Sequence, residues 1–446
     1  MFPQHVFPDT AEIDGQGRLV IGGCSALDLA EEYGTPVYVL DEATLRNRCR
    51  SYRAEFEQRC PGAQVLYASK AYINPALAQI FNEEGLGLDV VSGGELAVAI
   101  AAQFPLEKVY FHGNNKTSDE LAYAVDQGIG RIVVDSFHEL DLLNRIAGEA
   151  GKVQDILIRV SPGIDPHTHA YTTTGIIDSK FGFSIQTGQA AEAIRQALAL
   201  SRNGGNLTLK GLHFHLGSPI FELEPYQAAA TDLVLRFAAG FREEGLDLQE
   251  FSPGGGFAIA YTRDQEPPAI GEYAETIVAT LKATCGELGL AIPTLLIEPG
   301  RSIVGPAGVA LYRIGAIKDI PGVRKYVSVD GGMGDNIRPA LYQASYEVVS
   351  AGKVNSSTSG NGTYAEEKVT IAGKYCESGD VLASDIMLPT PEPGDIIAIP
   401  AAGAYCPSMA SNYNLNPRPP MVLVKDGKSR LIRRRESYAD MMLCDV

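Results

Sequence analysis

The chain has 446 residues, 45% of them hydrophobic and 20% charged, which is material for two or three packed domains. Those proportions exclude a collagen-like, coiled-coil or largely disordered chain. Thirty-seven Lys and Arg against 54 Asp and Glu leave a net charge of −17. Such a surface repels nucleic acid and anionic membranes, and it points to small-molecule partners.

The opening MFPQHVFPDTAEID lacks the basic and apolar regions of a secretory signal. No apolar run approaches the ~18 residues of a membrane span. Cys24, Cys49, Cys60, Cys285, Cys376, Cys406 and Cys444 are odd in number and scattered, with no CxxC, the pattern of reduced thiols. A cytoplasmic chain is expected.

In chain order, the first β-like run is GRLVIGG (17–23), which is expected to join a β-module formed much later. Eight short apolar runs follow between 64 and 300, each fitting a buried parallel strand that ends in small or polar residues. They are QVLYAS (64–69), GLDVVS (87–92), KVYFHG (108–113), RIVVDS (131–136), DILIRVS (155–161), LKGLHFHLGS (209–218), LQEFSPGG (248–255) and TLLIEPG (294–300). Helical signals stand between them. Asn74 before Pro75 is an N-cap with proline at the first helical position, and Gly85 is the matching stop. Thr117 with Glu120 and Ser136 with Glu139 fit capping boxes. Eight strand–turn–helix units predict a TIM (β/α)8 barrel. An open doubly wound sheet would carry a GxGxxG turn after an early strand, and none occurs there.

Beyond 305 the texture turns β-rich: GVALYRIGAI, KYVSVDGG, EKVTIAGKY, GDIIAIPAAGAY and MVLVKDGKSRLIRR, where Asp426-Gly427 marks a hairpin. The polar stretch 353–363 is expected to be a mobile loop. The expected organisation is α/β plus all-β, with a TIM barrel inserted into a C-terminal β-domain. Residues 1–45 join that domain, 46–305 form the barrel and 306–446 form the β-domain.

A TIM barrel gathers the residues at the C-terminal ends of its strands around one mouth. Here that set includes Lys70, Asp89, Ser92, His112, Asn114, Asp135, Arg159, His215, Ser218, Gly254 to Gly256, Glu298 and Arg301. Lys70 closes an apolar run, so it is expected to be partly desolvated and suited to Schiff-base formation; a snorkelling surface lysine is the plain alternative. Gly254 to Gly256 can turn backbone N–H groups toward a phosphate, or simply make a turn. Ser218 and Arg301 can add hydroxyl and guanidinium contacts to the same anion. A phosphate cradle near a lysine suggests pyridoxal 5'-phosphate, whose ring nitrogen needs a carboxylate, and Glu298 fits that part. His215 can lie against the ring, with His213 sharing its face or packing. The HxH pairs His213/His215 and His167/His169 also suit zinc, but neither has a clear acidic or cysteine completion, so no metal is expected.

Ten ordered motifs spanning nearly the whole length carry a resemblance: YASKA (67–71), DVVSGGEL (89–96), HGNNK (112–116), DSKFGF (178–183), GLHFHLGS (211–218), GGGF (254–257), EPGR (298–301), DGGMGDNIRPALY (330–342), CESGD (376–380) and GAY (403–405). With them the chain resembles the fold-type III pyridoxal-phosphate decarboxylases, and among these the ones acting on meso-diaminopimelate. The resemblance implies loss of carbon dioxide from meso-2,6-diaminopimelate to give L-lysine, the last step of lysine biosynthesis. It makes Lys70 the covalent anchor, His215 the ring-stacking residue and Glu298 the ring-nitrogen partner. Gly256, Gly300 and Arg301 would hold the cofactor, and Tyr405 would touch both cofactor and substrate. Cys376 becomes the proton donor, reaching the partner subunit's site, which implies a homodimer with shared active sites. Outside that motif Cys376 would read as a structural thiol. Tyr72 and Pro219 stand where the family commonly has Asn and Gln.

Diaminopimelate carries a second carboxylate and ammonium at its far end. Arg338 and Tyr342 in RPALY, with Arg301, can bind that carboxylate, and Glu377 can accept from the ammonium. The plain alternative for Arg338 is a surface ion pair. Relatives acting on ornithine, arginine or carboxynorspermidine would use the same barrel with a different rim. An alanine racemase would need a Tyr/Lys base pair, and the CESGD motif argues against it. A non-catalytic binding protein would have no need to keep Lys70, Glu298 and Cys376 together.

Overall fold

The computed structural model describes residues 2–164, 174, 176–354 and 364–446. His167, His169 and residues 355–363 lie outside the described residues. The chain divides into two compact units: Cys49–Ala258 with Pro267–Gly300, and Met1–Arg48 with Ile259–Glu266 and Arg301–Val446.

The first unit is a closed barrel of eight parallel strands, one from each expected run. They are β1 (Gln64–Ala68), β2 (Gly87–Val90), β3 (Val109–Phe111), β4 (Arg131–Val134), β5 (Gln154–Ser161), β6 (Leu207–His213), β7 (Glu250–Ser252) and β8 (Thr294–Ile297). Each strand pairs with the next, and β8 returns to β1 with Leu296 opposite Gln64. Leu66, Tyr110, Val133, Leu157 and Leu296 form a buried cluster, each side chain contributing ~1.5–3 kcal/mol by leaving water. Gly211 in β6 is required by close approach, since a Cβ there would lie 1.8 Å from the Glu250 carbonyl oxygen.

Local signals build the helices that follow the strands. Asn74 Oδ1 accepts the Leu77 N–H at 2.9 Å and Pro75 opens the helix, which stops before Gly85 at φ +77°. Thr117 and Glu120 form the expected capping box. Ser136 makes only half of one. Its hydroxyl accepts from Glu139 N–H at 3.2 Å, but the Glu139 carboxylate takes Asp135 N–H at 3.0 Å and pairs with buried Lys116 at 2.7 Å. A buried ammonium is the stronger claim on that carboxylate.

The second unit is built on a mostly antiparallel sheet. Its spine is the strand Gly308–Ile320, flanked by Val37–Asp41, Arg324–Val329 and Ile396–Ile399. The hairpin Met421–Lys425/Lys428–Arg433 turns at Asp426 and Gly427, both at positive φ, and extends the sheet beyond Val37–Asp41. The GRLVIGG run lies in this unit but outside its main sheet. Its strand, Leu19–Ile21, pairs with Glu12–Ile13 and Cys24–Ser25 in a separate three-stranded sheet, while Val37–Asp41 supplies the N-terminal strand of the main sheet. Leu19 and Ile21 face the common apolar core with Val309, Leu311 and Val422, and burial there sets their place rather than extension of the sheet. Among the described residues, no helix is long and apolar enough to cross a membrane.

Candidate active site

In the barrel unit, polar side chains from six strand ends converge above the apolar core. Glu298, one residue beyond β8, is buried, and its Oε1 accepts the Ser252 hydroxyl at 2.7 Å while its Oε2 meets His213 Nε2 at 3.1 Å. His112, following β3, places Nε2 3.6 Å from Glu298 Oε1 and 3.8 Å from Asp89 Oδ1. Burial opposes charge on Glu298. His213 and His112 beside it, with the hydrogen bonds from His213 and Ser252, nonetheless hold its carboxyl well below the usual range. Burial drives His112 itself well below the usual histidine range. Burial first, and Glu298 second, push Asp89 well above the usual carboxylate range.

Lys70 lies in the single 3-10 turn Ser69–Ala71 that follows β1. Contrary to the expected partial desolvation, its side chain is exposed, while Ser69 and Ala71 are buried. The apolar run ends at Ala68, and the turn buries the small residues on either side of the lysine instead. The Lys70 charge is felt by Asp89, Glu95 and His215. The half-buried His215 follows β6; burial and then Lys70 drive it well below the usual histidine value, so its ring is neutral. Its Nδ1 accepts the Gly255 N–H at 3.3 Å.

The glycine run is tighter than a three-donor cradle. Gly254 N–H is spent on Ser252 Oγ at 3.1 Å, and Gly255 N–H on His215. Gly256, at φ +98°, packs so closely under the Ser218 loop that a Cβ would meet the Gly217 carbonyl at 2.5 Å. The two elements expected to hold phosphate therefore adjoin. Gly300 is also a close-approach glycine, its Cβ position being 2.9 Å from Ala68 Cβ beneath the Lys70 turn. The DSKFGF motif latches onto the mouth: Gly182 N–H donates to Asp135 Oδ1 at 2.6 Å, and Arg159 stacks 4.4 Å over Phe181.

In the other unit, Arg301 and Arg338 are buried among tyrosines. Arg301 donates to Tyr261 Oη and lies 4.6 Å over the ring of Tyr405, a residue at φ +65°. Arg338 donates to Tyr346 Oη and lies 4.9 Å over Tyr261 and 6.0 Å over the half-buried Tyr342. Burial works against the Arg338 charge, but Tyr261, Tyr346 and Cys406 hold it protonated. Among the described residues Arg338 has no carboxylate partner, so it is not the surface ion pair of the plain alternative. Cys376 and Glu377 are exposed on a loop held by buried Asp380, which accepts Tyr375 N–H at 2.8 Å and Met333 N–H at 2.6 Å. Glu377 accepts Tyr413 Oη at 3.3 Å. Tyr261, Tyr346, Ser252 and Asp380 had no assigned part in the sequence reading; only Asp380 carried a signal, inside CESGD.

The donor set tests the expected cofactor. Ser69 Oγ, Asp89 Oδ1, His112 Nε2 and His213 Nδ1 are buried without a hydrogen-bond partner among the described residues. Polar atoms so placed suit a planar, polar heterocycle beside an ionised carboxylate. The ligand atoms of His112, His213 and Glu298 also lie within 4.8 Å of one another, as in a metal site, but the adjoining Gly256 and Ser218 segments and a strand-end lysine suit a pyridoxal-dependent barrel enzyme. A family model described as the pyridoxal binding domain of pyridoxal-dependent decarboxylases matches residues 42–305. The diaminopimelate decarboxylase of Bacillus subtilis is 46% identical over 98% of this chain and 97% of its own. That of Synechocystis is 44% identical over 99% and 93%. The crystal structure of diaminopimelate decarboxylase from M. jannaschii in co-complex with L-lysine superposes with a TM-score of 0.90 at 37% identity, covering 98% of both chains. The chain belongs to the diaminopimelate decarboxylase family.

Proposed function

We propose that this chain is a cytoplasmic, homodimeric decarboxylase converting meso-2,6-diaminopimelate to L-lysine and carbon dioxide. The observation that carries the substrate choice is Arg338, a buried cation that donates to tyrosine and has no carboxylate partner among the described residues. Removing a guanidinium from water without an ionic partner is costly. A substrate carboxylate supplies that partner, and diaminopimelate brings one at the end remote from the reacting carbon.

Pyridoxal phosphate, when bound, supplies an electron sink for the bond that breaks as carbon dioxide leaves. Lys70 Nζ would anchor it, and Glu298 would pair with its ring nitrogen. His215, a neutral ring, would stack on it. Ser218, Gly256, Gly300 and Arg301 would hold its phosphate, and Tyr405 would touch both cofactor and substrate. Arg301, Arg338 and Tyr342 bind substrate carboxylate, and Glu377 accepts from the distal ammonium. Cys376 Sγ delivers a proton to the carbon that has lost its carboxylate. Its exposure on a pinned loop suits delivery into the partner subunit's site, and the 1–45, 46–305 and 306–446 segments would act as one protomer of that dimer.

The test is to incubate purified protein and cofactor separately with meso-diaminopimelate, ornithine, arginine and carboxynorspermidine, following carbon dioxide and product. Lysine should form from diaminopimelate, with the others at least ~10⁴-fold poorer, as a site built around a hydrogen-bonded group rejects analogues lacking it. Preference for any of the other three overturns the proposal.

A further inference from the structure

β6 ends at His213, and the strand register sets it opposite Ser252 on β7 and Arg159 on β5. Glu298 is tied to the same level by its backbone N–H, which donates to the Gly254 carbonyl at 3.0 Å. Both carboxylate oxygens are thereby engaged: Oε1 by the Ser252 hydroxyl at 2.7 Å and Oε2 by His213 Nε2 at 3.1 Å. His112 stands edge-on to His213, ring centroids 4.8 Å apart at 73°. His213 is 1% exposed and Ser252 0%, so these donors face Glu298 without competition from bulk water.

We infer that His213 is a positioning residue for the decarboxylation: its Nε2–H, with the Ser252 hydroxyl, keeps Glu298 ionised so that the cofactor's ring nitrogen retains its proton. The inference rests on the assignment of Glu298 as that nitrogen's partner. A carboxylate offers about four lone-pair sites. His213 and Ser252 take one on each oxygen and leave the others for an N–H of the ring. Removing one donor makes the carboxylate more basic, and the shared proton then moves from the ring nitrogen onto Glu298. No other bond is made or broken, and the uncharged ring withdraws electrons less strongly from the reacting carbon.

The neighbours cannot replace His213. His112 Nε2 is 3.6 Å from Glu298 Oε1, beyond a normal hydrogen bond. Arg159 is directed to Asp135, 3.8 Å away. Asp89 lies 3.8 Å from His112 and makes no contact with Oε2; burial and then Glu298 push its carboxyl well above the usual carboxylate range. Among the described residues His213 is therefore the one ring donor on Oε2, with His112 edge-on to it.

The inference is tested in the holoenzyme with cofactor labelled by ¹⁵N at the ring nitrogen, whose chemical shift reports protonation directly. In wild type near neutral pH the nitrogen should read protonated. His213→Phe keeps the ring volume and removes the donor. It should move the signal toward the unprotonated value and lower kcat roughly 10- to 100-fold, the effect of one hydrogen bond to a charged group, with KM little changed. His213→Gln, which restores an N–H, should recover most of both, and Ser252→Ala should move the signal the same way. An unchanged nitrogen signal in folded His213→Phe overturns the inference; should that variant not fold, an unchanged signal in Ser252→Ala does so. If Glu298→Gln leaves the wild-type signal where it was, the underlying assignment of Glu298 falls instead.

Discussion

Lys70 and Arg338 carry opposite physical situations, one an exposed ammonium on a short turn and the other a buried guanidinium held by tyrosine. Exposure lets Lys70 be truncated without opening a cavity. Lys70→Ala should therefore abolish turnover and the visible absorbance of lysine-bound cofactor while leaving far-UV circular dichroism unchanged; a variant that keeps that absorbance refutes the anchor. Arg338 is different, because its loss removes the partner of the distal carboxylate. Arg338→Ala should cost roughly 10³- to 10⁴-fold in kcat/KM with diaminopimelate and little of any residual activity with monocarboxylate analogues. Unchanged diaminopimelate turnover would exclude it from the site. At this scale the sequence showed the groups but not their partners. Lys70 and Glu298 stand at the ends of apolar runs, where strand periodicity makes a charge conspicuous. The Glu298–His213 bond joins residues 85 positions apart, and Tyr346 reaches Arg338 from a segment without any motif. Such pairings follow from three-dimensional register, which no local pattern encodes.

Elements divide by how local their causes are. All eight barrel strands were legible because each is a short apolar run followed by capping or glycine signals. Val37–Asp41 was not: it is buried throughout, its first four residues pair with Gly308–Leu311 far along the chain, and nothing beside them marks a strand. Ile259–Glu266, which belongs to the β-unit although the barrel chain surrounds it, gave no sign either. The loop Gly331–Asn336 illustrates a cause visible only in the folded state. Asp335 is buried, and burial, opposed by the Gly332 N–H that its Oδ2 accepts at 2.9 Å, pushes its pKa up to about 7. Between pH ~4, where it titrates unfolded, and about 7, the folded state keeps a proton that the unfolded state releases. Stability must then fall as pH rises through that window, and the full cost, on the order of 4 kcal/mol, applies above it. Asp335→Asn keeps the acceptor and cannot ionise. Urea midpoints of variant and wild type should coincide near pH 4 and separate above it, with the variant the more stable at pH 8. Parallel curves would mean that Asp335 does not titrate in this range.

For the whole molecule the open question is how many chains complete one site. Cys376 is exposed on a loop that Asp380 pins through two backbone N–H groups, so the thiol is held firmly without being buried in its own unit. If each site takes Lys70 from one protomer and Cys376 from its partner, the two defects behave as complementary. A Lys70→Ala dimer lacks the anchor at both sites, and a Cys376→Ala dimer lacks the proton donor at both. In a hybrid dimer one site inherits both lesions and the other inherits neither. Random exchange of equal amounts makes half the dimers hybrid, each with one intact site of two, so about a quarter of wild-type activity should return. Were each site built from a single chain, every site in the mixture would keep one lesion and no activity would return beyond that of the parents. The measurement is carbon dioxide release before and after exchange, with hybrid formation checked by differently tagged subunits. Recovery without detectable exchange, or exchange without recovery, would each contradict a shared site. Cys376→Ala alone should still bind cofactor with the wild-type visible spectrum, since the thiol is assigned to proton delivery and not to holding the ring; loss of that spectrum would move Cys376 from delivering the proton to building the cofactor site.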